Sequence, residues 1–115
     1  MNKLEVGMYV RTTELYGGLI SHITKICEET KTVMLYGSGP SSYPFKEIEK
    51  ASYNIIDLIE VGDYVNGLIV NDIVTDIDGT KTFNLFKQLS YFGNEDIKSI
   101  VTKEQFKSME YRLGE

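Results

Sequence analysis

Apolar residues along this chain alternate in short runs and seldom recur at helical spacing. Such runs predict strands over residues 8–12, 19–27, 32–36 and 49–53, then over 63–66, 68–77, 81–86 and 97–101. The run 19–27 keeps no single register of alternation, which predicts a bulge within it. Helical spacing occurs twice. Ile55, Leu58 and Ile59, with Asn54 as a cap and Gly62 as an exit, predict a short helix over 54–62. Thr102-Lys103-Glu104-Gln105 resembles a capping box and predicts a helix over 103–109, with a short edge strand to follow at 110–113. Between these elements, Gly17-Gly18 permits a sharp reversal and Glu28-Glu29 a tight turn. Asp78-Gly79 signals a two-residue hairpin. Residues 37–44, Gly-Ser-Gly-Pro-Ser-Ser-Tyr-Pro, hold both prolines and predict an exposed, mobile loop crossed by no strand ladder.

The order of elements repeats. Glu5-Val6-Gly7-Met8-Tyr9-Val10 returns as Glu60-Val61-Gly62-Asp63-Tyr64-Val65, and Thr30-Lys31-Thr32 returns as Thr80-Lys81-Thr82. Gly18-Leu19-Ile20 answers to Gly67-Leu68-Ile69, and Ile48 and Ala51 answer to Ile97 and Ile100. Echoes that keep one order along the chain mean two copies of one unit, 1–54 and 55–115. Each is near the size at which a lone core is marginal. Five short strands per unit, opened by Val-Gly-x-Tyr-Val and turned by a central hairpin, resemble the SH3-like barrels of KOW and Tudor type. The expected fold is therefore all-β: two tandem SH3-like small β-barrels, a short connecting helix and a C-terminal helical turn. Residues 54–67 and 97–106 also resemble small uncharacterised proteins of phages and prophages of Gram-positive bacteria. That resemblance implies a phage origin. It extends by association to antagonism of a host defence protein, and supplies no activity.

Apolar residues at 42% make an ordinary globular composition, and ten glycines and eight tyrosines among many Val, Ile and Thr lean towards β structure. The net charge of −5 is uneven: residues 1–52 are neutral, and 57–80 hold six acids without a Lys or Arg. Such a surface repels phosphate backbones, so direct nucleic-acid binding is not expected and a basic protein surface suits it better. With no signal-like leader and no long apolar run, the expected address is the cytoplasm of a bacterial host.

Chemistry is sparse. A lone cysteine, Cys27, excludes an internal disulfide, and with His22 as the one imidazole leaves too few ligands for structural zinc. The expectation for His22 is a strand residue at the surface or against a tyrosine. Asp72, Asp76 and Asp78 fail as a calcium loop, because Val74 and Leu85 stand where first and last ligands belong. Gly37-x-Gly39 lacks the lysine and helix start of a phosphate loop, and the absence of Trp argues against proline-peptide recognition. No catalytic residue, cofactor or metal is expected. The candidate partner-binding residues are Asp72, Asp76 and Asp78 by charge. Tyr43, Tyr91 and Phe92 join them as aromatics in loops that do not otherwise choose such side chains. The expected function is noncatalytic binding of a host protein. The alternatives are a nucleotide sponge, with loop aromatics stacking on a base, and a homo-oligomeric phage scaffold.

Overall fold

The computed structural model describes residues 3–85, 88–91 and 96–109, excluding the side chains of 88–91, 108 and 109. Among the described residues the fold is all-β apart from 3-10 turns and one short helix. It forms two units, Met1–Leu58 and Ile59–Glu115.

In the first unit the strands are β1 (Tyr9–Thr12), β2 (Ile20–Cys27), β3 (Thr32–Leu35), β4 (Ser42–Pro44) and β5 (Ile48–Ser52). They make one antiparallel sheet in the order β4-β3-β2-β1-β5. The predicted bulge is present: Ile23 faces Leu35 and Lys25 faces Met34, leaving Thr24 as the extra residue. Val10, Ile23, Val33, Leu35 and Ile48 are buried together beneath Leu4 and Met8. A 3-10 turn, Phe45–Glu47, leads into β5, and a second, Ile55–Leu58, follows it. That second turn replaces the longer helix expected over 54–62. Ser52 ties it down, donating its hydroxyl to Asp57 Oδ2 at 2.7 Å and accepting the Asn54 N–H at 3.0 Å.

The loop expected over 37–44 needs correcting, since a strand runs through its last three residues. Tyr43 faces Val33 and Pro44 faces Thr32. Composition misled here because β4 is a sheet edge, where a proline has no outward ladder bond to forfeit.

In the second unit the strands are β6 (Tyr64–Val65), β7 (Leu68–Thr75), β8 (Lys81–Leu85), β9 (Gln88–Tyr91) and β10 (Ile100–Val101), ordered β10-β6-β7-β8-β9. Read from the last strand, the order is that of the first unit. Neither sheet closes on itself among the described residues. The β7 bulge falls between Val70, facing Leu85, and Asp72, facing Asn84. Volumes trade across the core: Ile23 and Val33 of one unit stand where Val70 and Phe83 stand in the other, all buried. Ile100 faces Val65 as Ala51 faces Val10, as expected. The Gly-Leu-Ile echo, however, is two places out of register. Tyr9 faces His22 whereas Tyr64 faces Ile69, because the second unit omits the loop that carries Gly18. Strand β9 lies between the strands expected over 81–86 and 97–101, where no strand was predicted, and the edge strand expected over 110–113 lies outside the described residues.

The opening turn is the same in both units. Gly7 and Gly62 lie at φ 93° and 98° and donate to Ile23 and Val70 carbonyls, each at 2.9 Å. Around Gly7 a Cβ meets open space; at Gly62 it stands 3.3 Å from Lys103 Cδ. Both Gly→Ala variants are therefore expected to lose about 1–2 kcal/mol in urea titrations, with Gly62→Ala the costlier because Lys103 must also shift.

Helix α1 (Lys103–Met109) begins at the predicted capping box: Gln105 N–H donates to Thr102 Oγ1 at 3.1 Å, and Thr102 N–H to Gln105 Oε1 at 3.0 Å. Asp63, wholly buried where the first unit has Met8, holds the helix start. Its carboxylate accepts the Lys103 N–H at 3.0 Å and the Glu60 N–H at 2.8 Å. Among the described residues no helix is long and apolar enough to cross a membrane.

Candidate functional site

The acidic candidates gather on the β7–β8 hairpin. Ile73 pairs with buried Phe83, so strand alternation sends Asp72 and Val74 to the exposed face, with Asp76 next in that series. The expected two-residue turn at Asp78-Gly79 is instead a three-residue loop. Asp76 N–H donates to Thr80 O at 2.8 Å, Gly79 N–H donates to Asp76 O at 2.9 Å, and only Gly79 within the loop takes positive φ. A two-residue turn of that kind would need positive φ at Asp78 as well.

Two of the three aspartates serve local bonds. Asp72 Oδ1 accepts the Ile73 N–H at 2.9 Å. Asp78 Oδ1 accepts the Thr80 N–H at 2.9 Å, and the Thr80 N–H and hydroxyl hold this carboxyl below its ordinary range. Between Asp76 and Asp78 stands Ile77, at 108% relative exposure. The sequence reading passed over it, though an isoleucine inside an acidic turn is itself a signal. No group of three or more potential metal ligands exists among the described residues.

Of the three aromatic candidates, Tyr43 is the one whose side chain lies among the described residues. Tyr43 is a β4 residue, half-buried against the core, with its ring 5.9 Å from Tyr16 and its hydroxyl donated to Ser38 Oγ at 3.2 Å. Strand register puts Ser90, not Tyr91, in the equivalent place of the second unit: Phe83 faces Ser90, and Tyr91 faces Thr82. Phe92 lies outside the described residues.

A different aromatic group is assembled on the first sheet. His22 stacks on Tyr36 at 4.9 Å and meets Tyr9 edge-on at 6.1 Å. The histidine is therefore a strand residue against tyrosines, as expected. Tyr36, 67% exposed, ends this row. Nearby, the Tyr53 hydroxyl donates to Glu5, and that carboxylate raises the phenol's pKa. At the β2–β3 turn, the hydroxyl and N–H of Thr30 lower the pKa of Cys27.

The same turn forms one wall of a cavity of about 310 Å³ lined by Thr30, Lys31, Pro44, Phe45 and Lys46. Phe45 N–H donates to Lys31 O at 2.8 Å and joins the two walls. Its floor is largely apolar, from Pro44 and Phe45, and Lys31 and Lys46 are both exposed. No family model, curated protein or solved structure gives a significant match to this chain.

Proposed function

We propose that this chain is a noncatalytic binding protein of two tandem SH3-like small barrels, and that the β7–β8 hairpin contacts its partner. The shared strand order, the bulged second strand in each unit and the 3-10 turn before β5 support the barrel reading, as open barrels. The observation that carries the binding reading is Ile77, fully exposed and flanked by Asp76 and Asp78. An apolar anchor ringed by carboxylates suits a basic surface with an apolar recess, including one that otherwise holds nucleic acid. The resemblance to phage and prophage proteins makes a host protein in the bacterial cytoplasm the natural partner, and inhibition of a defence protein the natural consequence.

Affinity capture from infected bacteria tests this, with wild type and variants as bait. Ile77→Lys, or Asp72→Lys with Asp76→Lys, is expected to remove the captured partner, while His22→Ala and Cys27→Ser retain it. For the charge reversals the loss should lie chiefly in association rate and shrink at high salt. Unchanged capture by Ile77→Lys would reduce the acidic hairpin to a solubility feature and move attention to Tyr36 and its neighbours.

A further inference from the structure

We infer that the β7–β8 hairpin tip of one chain seats in the Lys31–Lys46 cavity of a second copy, so that copies associate head to tail. This rests on the reading of the hairpin as the recognition element, and it names an occupant for a cavity which that reading leaves unused. The two surfaces are complementary in kind and in order. The tip presents an apolar side chain, Ile77, between carboxylates at Asp76 and Asp78. The cavity presents an apolar floor, Pro44 and Phe45, with ammonium groups at Lys31 and Lys46. At about 310 Å³ it accepts an isoleucine side chain with room for water beside the charges. Glu28 and Glu29, on the same turn as Lys31, are not among the cavity's lining residues. Charge distribution favours this pairing, because the whole −5 belongs to the second half while the first is neutral.

The two surfaces differ and belong to different units, so the contact is heterologous. A bound pair leaves one tip and one cavity unoccupied, and assembly can continue into rings or short filaments. The contact is small, which makes it weak and salt-sensitive.

Sedimentation velocity of the full chain, from micromolar to roughly millimolar concentration, tests this. For wild type the average sedimentation coefficient is expected to rise with concentration. It should fall back at about 1 M salt, where screening acts over roughly 3 Å. Ile77→Lys and Lys46→Glu should each weaken self-association at least about tenfold, the first by losing a buried aliphatic side chain and the second by setting a carboxylate against those of the tip. Both positions are exposed, so circular dichroism should show both variants folded. The decisive sample is their mixture. Ile77→Lys keeps a working cavity and Lys46→Glu a working tip, so together they should form a one-to-one dimer that grows no further. A wild type monomeric throughout, or either variant associating like wild type, overturns the inference. Variants that are each monomeric and fail to pair when mixed also overturn it, in favour of a symmetric contact. If wild type is monomeric while Ile77→Lys still loses a captured host protein, this inference falls and the binding reading stands.

Discussion

Asn66→Ala is expected to lower the stability of the second unit by about 2–4 kcal/mol, a large effect for an exposed polar residue. Asn66 and Gly67, at φ 50° and 85°, form the two-residue turn between β6 and β7. This is the conformation for which Asn-Gly is preferred. The side chain then reaches across to the segment that leads into β10. Its amide donates to Asp96 O at 3.0 Å, and its Oδ1 accepts the N–H groups of Lys98 at 2.7 Å and Ser99 at 3.1 Å. Exposed bonds of this kind are worth about 0.5 kcal/mol each net, and alanine in a left-handed conformation adds about 1–2 kcal/mol. Asn66→Gly separates the two terms, since it keeps the turn and loses only the bonds. Urea titration of both variants should place Asn66→Gly between wild type and Asn66→Ala. Equal stability of all three would mean that water replaces the clasp at no cost.

Arg11→Ala is expected to cost the first unit about 3–5 kcal/mol, through lost packing and a carbonyl left without its donor. The side chain of Arg11 is wholly buried, and its Nη1 donates to Leu58 O at 3.0 Å. Leu58, itself buried, ends the 3-10 turn that follows β5. A guanidinium thus fastens the end of the unit to its first strand. Arg11→Met fills much of the space without a charge to desolvate, and is expected to recover over half of the loss. Denaturant unfolding gives the totals. Amide exchange at Asp57, whose N–H donates to Asn54 O, reports the local effect and should accelerate in Arg11→Ala. An alanine variant as stable as wild type would show that the turn holds without Arg11.

What could be read from the residues was whatever local chemistry decides. The capping box at Thr102 has its partner three residues on, and the Val-Gly-x-Tyr-Val turns need only a glycine with positive φ. The central strands and the β2 bulge followed from alternation and its interruption, whereas the β7 bulge came only with the structure. What escaped depended on neighbours distant in sequence. Pro44 reads as a loop residue until its strand is known to be an edge. Arg11 reads as a solvated strand cation, and nothing near it in the chain foretells the Leu58 carbonyl. Asn66 was read as the end of a strand over 63–66, and nothing local announced its clasp on residues 96–99. At the candidate site the acidic hairpin was legible as charge. Ile77 at its tip was there to be read and was passed over, while the cavity joining Lys31 to Lys46 needed coordinates.

The Asn66 clasp also orders events in time. Strands β6, β7 and β8 are successive neighbours joined by short turns, so they can meet within the microseconds of hairpin closure. The bonds to Asp96, Lys98 and Ser99 span 30 or more residues and must await closure of that longer loop. A late-forming clasp governs escape from the native state more than entry into it. Loss of the Asn66 amide is therefore expected to shorten the half-life of the second unit against proteolysis or forced unfolding, and to leave its rate of first folding nearly unchanged.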